Sequence, residues 1–198
     1  MINIRKNSNT LIIVLHEIYG INKHIKGVCQ ALSDYGFDIF CPNLLEREAP
    51  FAYIEEEIAY RYFMNNIGFA RAVYKVEELL AERKSEYQKI FIVGFSVGAT
   101  VAWLCSEKKY INGMVGYYGS RIRDYIEISP QCPVMLFYPE EEISFNVDDF
   151  ISTLHQMNVQ THKYKGQHGF SDLCSPKYHA ESAQKAFNDM INFFVNIR

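Results

Sequence analysis

Lys89-Ile90-Phe91-Ile92-Val93-Gly94-Phe95-Ser96-Val97-Gly98-Ala99 is the stretch that decides the architecture of this 198-residue chain. Lys89 to Val93 is a continuous apolar run, the pattern of a strand covered on both faces. Val97 to Glu107 reads as a mostly apolar helix. Between them lies G-x-S-x-G. A strand that turns at once into a helix forces Ser96 into a strained backbone, and the residues two before and two after it lose the room for a side chain. Gly94 and Gly98 meet that demand. The turn lifts the Ser96 hydroxyl above the sheet and aims the N–H groups that open the helix, beginning with Val97, at any oxyanion formed there. Two glycines four apart can also serve close helix–strand packing alone. A phosphate loop is excluded, since no Gly-Lys-Ser/Thr ending is present and Ser96 interrupts G-x-G-x-x-G.

Outward from this turn, short apolar runs alternate with amphipathic segments. Leu11–Leu15, Phe37–Cys41, Gly113–Tyr118, Val134–Tyr138 and Gln160–Tyr164 read as strands. Asn22–Tyr35, a long stretch from Ile54 to Arg83 that Gly68 can divide, Val147–Met157 and Glu181–Ile197 read as helices. Asn43–Ala52 reads as a loop. The alternation predicts one α/β domain over residues 1–198, a three-layer α/β/α sandwich around a mostly parallel sheet.

A serine nucleophile needs a general base, which this topology puts late, after the last strand. His168, in Gly166-Gln167-His168-Gly169-Phe170, has that position. His24, His155, His162 and His179 read as surface or cap histidines. The acid that would hold the imidazole belongs on the loop after Val134–Tyr138, where Glu140, Glu141 and Glu142 all stand; three acids in a row also suit a solvated tip.

The rest of the composition is ordinary for a globular protein: 48% hydrophobic, 22% charged, net charge −3. Lys and Arg form no stripe, so no nucleic-acid partner is expected. Met1–Thr10 is polar and the first apolar run is short, so neither a signal peptide nor a membrane span is expected. Cys29, Cys41, Cys105, Cys132 and Cys174 are widely spaced and form no C-x-x-C pair, which suits small buried thiols in a reducing cytoplasm. His16-Glu17 opens like a zinc-protease motif, but residue 20 is Gly and the next histidine is His24, so no metal is expected.

Five segments in order, HEIYGIN (16–22), CPNLL (41–45), GFSVG (94–98), VGYYG (115–119) and QHGF (167–170), resemble the dienelactone hydrolase family over roughly residues 11–195. The resemblance implies an α/β-hydrolase fold, Ser96 as nucleophile, His168 as base, Glu142 as acid, and the amides of Ile18 and Val97 as oxyanion hole. It also implies departures. Ser96 and Glu142 stand where the best-known members carry cysteine and aspartate. Glu17 matches a glutamate that helps activate the thiol in those members; beside a serine, a structural role satisfying local N–H groups is the competing reading. Asp172 stands where an arginine holds the substrate carboxylate, so an anionic lactone should be repelled. Family members also open with extra strands, so a sheet shortened at the N-terminus is expected.

The implied chemistry is hydrolysis of a carboxylic ester or lactone through an acyl-serine, with no cofactor. Tyr53, Tyr60, Phe63, Tyr117 and Tyr118 fall near the loops that would cap the site and suggest a partly apolar, uncharged small-molecule substrate, or plain packing. A thioesterase or small-acyl esterase uses the same machinery, and a catalytically silent ligand-binding protein is the reading from another class. A cytoplasmic monomer or small homo-oligomer is expected.

Overall fold

A computed structural model describes residues 1–197, so Arg198, the last residue of the domain reading, lies outside the described residues. Among them, seven strands form one sheet in the order β1-β3-β2-β4-β5-β6-β7. The strands are β1 (Ile2–Ile4), β2 (Thr10–Leu15), β3 (Asp38–Cys41), β4 (Lys89–Phe95), β5 (Gly113–Tyr117), β6 (Val134–Glu141) and β7 (Gln160–Gln167). All neighbours run parallel except β1, which pairs antiparallel with β3 through Ile2–Cys41 and Ile4–Ile39.

Among the described residues the α-helices are α1 (Lys23–Asp34), α2 (Glu56–Tyr62), α3 (Gly68–Arg83), α4 (Val97–Cys105), α5 (Val147–Gln156) and α6 (Ala180–Asn196). They cover both faces, and β2 shows why its run is unbroken. Leu11, Ile13 and Leu15 belong to the core on the side of α3, α4 and α5, whereas Ile12 and Val14 belong to the core on the side of α1 and α6. Successive side chains point to opposite faces, so a strand covered on both sides needs apolar residues at every position. The expected three-layer α/β/α sandwich with a mostly parallel sheet is the observed architecture.

Several boundaries differ from expectation. The polar start holds β1, a strand of three residues too short to register as a pattern. Its continuation is anchored by Asp38, whose Oδ1 accepts from the backbone N–H of Lys6 at 2.6 Å and of Ser8 at 3.1 Å. Ile54–Arg83 is broken, as Gly68 suggested, but by a five-residue π-helical turn, Phe63–Ile67, ending at Gly68 with φ +66°. A 3₁₀ helix, Ser120–Tyr125, follows β5 where no element was expected. Strands β6 and β7 run three residues beyond the predicted Val134–Tyr138 and Gln160–Tyr164, because pairing of Pro139 with Tyr164 and Glu141 with Gln167 carries the ladder past the core. That extension delivers Glu142 and His168 side by side. Cys29, Cys41 and Cys105 are buried as expected, but Cys132 and Cys174 are partly exposed. Among the described residues, no helix is long and apolar enough to cross a membrane.

Candidate active site

Strand β4 ends at Phe95 and α4 begins at Val97, leaving Ser96 as a one-residue turn with φ +52° and ψ −114°. A non-glycine residue in that region is strained, and its neighbours must hold it there. The Ser96 N–H donates to the Tyr117 carbonyl at 2.9 Å, and the Ser96 carbonyl accepts from Ala99 and Thr100. A Cβ on Gly94 would lie 2.2 Å from the Gly98 carbonyl oxygen, and one on Gly98 would lie 2.3 Å from the Leu15 carbonyl oxygen. Both glycines are therefore obligatory. Gly98 also presses the start of α4 onto the end of β2, which brings Val97 next to the loop carrying Ile18.

The hydroxyl of Ser96 donates to His168 Nε2 at 2.9 Å, and His168 Nδ1–H donates to Glu142 Oε2 at 2.8 Å. Glu140 and Glu141 end β6 and Glu142 follows it; of the three only Glu142 reaches the imidazole, while Glu141 accepts from Gln167. The His168 side chain is 31% exposed and that of Glu142 only 7%. Burial alone would push the Glu142 carboxyl up. The hydrogen bond and charge of His168, with the N–H and hydroxyl of Ser144, outweigh burial and hold it below the usual carboxylate range. Ser96, Val97, Ile18, His168 and Glu142 all line one cavity of about 600 Å³, with Tyr60, Arg121 and Ile143 at its wall.

Behind Ser96 and His168 lies a second polar cluster that the sequence did not reveal. Asp172 is 1% exposed. Its Oδ2 accepts from the Tyr53 hydroxyl at 2.6 Å, its Oδ1 accepts from the Cys174 N–H at 2.8 Å, and His24 Nδ1 stands 3.8 Å away. His24 is thus a buried residue packed edge-on against Phe95, not a surface or cap histidine. The cap reading fits His179, which accepts from the Ser182 N–H at the start of α6. Glu17 is also buried, and its Oε1 accepts from the Tyr118 hydroxyl at 2.9 Å, a cross-loop contact rather than the bonds to local N–H groups that the structural reading of Glu17 called for. Burial, with the Asp172 charge, raises the Glu17 carboxyl above its ordinary range, and His24 partly offsets this. Glu17, Tyr53, Asp172, Ser96 and His168 enclose a smaller cavity of about 120 Å³.

His16, read only as half of a failed zinc motif, has a structural task. The Leu44 N–H donates to its Nε2 at 2.9 Å, which leaves the proton on Nδ1 to donate to the Glu17 carbonyl at 2.7 Å. Burial lowers its pKa to about 4, so it stays neutral and joins the loop after β2 to that after β3. Among the aromatics, Tyr60 lines the large cavity and Tyr53 the small one. Phe63, Tyr117 and Tyr118 are instead buried. The clue for His24 was its place two residues after the helix-capping Asn22, on the face that α1 turns toward the sheet.

The dienelactone hydrolase family model matches residues 2–198. The chain is 37% identical over 165 residues to the uncharacterized protein YczH of Bacillus subtilis, covering 82% of this chain and 81% of that one. It is 24% identical over 207 residues to the carboxymethylenebutenolidase of Pseudomonas putida, covering 95% and 86%. Its fold matches the dienelactone hydrolase-like promiscuous phosphotriesterase P91 from metagenomic libraries, with a TM-score of 0.73 at 17% identity, covering 96% and 87%.

Proposed function

This chain belongs to the dienelactone hydrolase family, and we propose that it cleaves a carboxylic ester or lactone by transferring the acyl group to Ser96 and then to water. The observation that carries this reading is the unbroken line of two hydrogen bonds, 2.9 Å and 2.8 Å, from a strained serine through His168 to Glu142.

In that line His168 Nε2 takes the hydroxyl proton as Ser96 Oγ attacks the carbonyl carbon. Glu142 holds the imidazole with its proton on Nδ1 and stabilises the cation that forms. The oxyanion develops at the start of α4, where the Val97 amide and the Ile18 amide serve as donors. His168 then protonates the leaving oxygen, and the ester C–O bond breaks. A water, deprotonated by the same imidazole, attacks the acyl-serine, and Ser96 leaves with its proton restored. The cycle calls for no cofactor, since every proton and developing charge has a partner within the chain.

The small cavity behind Ser96 and His168 has the carboxyls of Glu56 and Asp172 in its wall beside Lys177, two acids to one lysine, which disfavours a carboxylate there and favours a neutral substrate. The test is a fluorophosphonate probe on the purified protein, with the label located by peptide mass spectrometry. Labelling at Ser96 that falls in His168→Ala is the expected result. No label between pH 6 and 9 would overturn hydrolysis in favour of ligand binding. Turnover of a neutral aryl ester, a lactone and an acyl-CoA thioester, side by side, then separates esterase and lactonase from thioesterase.

A further inference from the structure

Tyr118 is completely buried, yet it touches two of the loops that build the site. It follows directly on β5 with φ +42°, a region that a tyrosine enters only when its surroundings force it. Its N–H donates to the Phe137 carbonyl at 2.7 Å, and its own carbonyl accepts from the Ser120 N–H at 2.9 Å. The strained backbone aims the side chain across the site. The ring lies against the His168 imidazole, centroids 5.0 Å apart and planes at 51°. The hydroxyl donates to Glu17 Oε1 at 2.9 Å and lies 2.9 Å from Ser171 Oγ, which donates to it in turn.

Glu17 immediately precedes Ile18, and Ser171 stands three residues after His168. These two loops leave β2 and β7, strands separated in the sheet by β4, β5 and β6. One side chain therefore bridges the oxyanion loop and the base loop. A buried tyrosine hydroxyl needs only one partner; here it uses both donor and acceptor capacity, and each ties a different loop. We propose that Tyr118 is a positioning residue: its ring fixes the plane of His168, and its hydroxyl straps the two loops together so that Ser96, His168 and the Ile18 amide stay in register. The inference rests on the acyl-serine reading above.

Tyr118→Phe keeps the ring and cuts the strap. The expected result is a fall in kcat of about tenfold or more with KM changed by less than about threefold, as misplaced reacting groups produce. The rate of fluorophosphonate labelling at Ser96 should fall by the same factor. Ser171→Ala cuts the other end and should cost less, and the double variant should be no worse than Tyr118→Phe, because both remove one strap. If Tyr118→Phe does not fold, Ser171→Ala decides alone: a reduced labelling rate supports the strap and an unchanged one overturns it. Equal labelling of wild type and a folded Tyr118→Phe, or losses that multiply in the double variant, would also overturn the strap while leaving the acyl-serine reading intact. A wild-type protein that takes no label overturns both.

Discussion

The molecule holds two acid–imidazole pairs within one small region, and they are built for different ends. Glu142 and His168 are joined by a 2.8 Å hydrogen bond at a cavity wall, and the far nitrogen of the ring reaches Ser96. Asp172 and His24 stand 3.8 Å apart in the interior. The Asp172 oxygens are already taken by Tyr53 and Cys174, and His24 Nε2 finds no partner among the described residues. Both set a carboxyl beside an imidazole. What separates them is reach: a general base must have one nitrogen held and the other free to meet a proton that leaves and returns, with access to substrate. His24 has neither the hydrogen bond nor the access.

Substituting the two histidines is the strongest way to break this comparison. His168→Ala, like Ser96→Ala, should lower kcat on the order of 10⁴-fold or more, as loss of the base or nucleophile does in a serine protease. If His24→Ala fell as far in the same steady-state assay, the assignment of the two pairs would be reversed. Glu142→Gln comes next, with a loss on the order of 10³-fold in kcat, because the amide cannot stabilise the imidazolium. Glu140→Gln and Glu141→Gln serve as the register controls.

The elbow itself sharpens the comparison through stability. Gly98→Ala puts a methyl 2.3 Å from the Leu15 carbonyl and should destabilise the fold by about 3 kcal/mol, measured by urea unfolding. Opposite signs are expected of the two glutamates. Glu142 is depressed, so its contribution is present above the ordinary carboxylate pKa and is lost as pH falls through its lower folded value. Glu17 is raised, so the folded state keeps a proton that the unfolded chain has released, and stability falls as pH rises through that window. Glu17→Gln, which keeps an acceptor oxygen for Tyr118, should therefore raise Tm at pH 8 by roughly 2–4 °C, with the gain shrinking toward the ordinary carboxylate pKa. A lower Tm at pH 8 would show that the Glu17 charge is stabilising. The smallest effect is expected of His24→Ala on kcat, a change of less than about threefold in the same assay.

Local order along the chain was enough to read the sandwich, the elbow, and His168 as the histidine after the last strand. These follow from short-range physics: a strand covered on both faces must be apolar throughout, and a strand-to-helix turn on one residue must be flanked by glycine. The acid register stayed open among Glu140, Glu141 and Glu142 on the residues alone, because a bulge between Pro139 and Glu141 sets which of them turns inward. His24 and Asp172, 148 positions apart, could not be read as neighbours, nor Glu17 and Tyr118 as partners. Their burial depends on the packing of α1 against the sheet and on the loop after β7 folding back over it. Residue types and their order were therefore the sequence's own determination. Which of several chemically equivalent side chains meet, and which are sealed from water, was decided only by tertiary packing, since distance and desolvation exist only once remote segments are brought together.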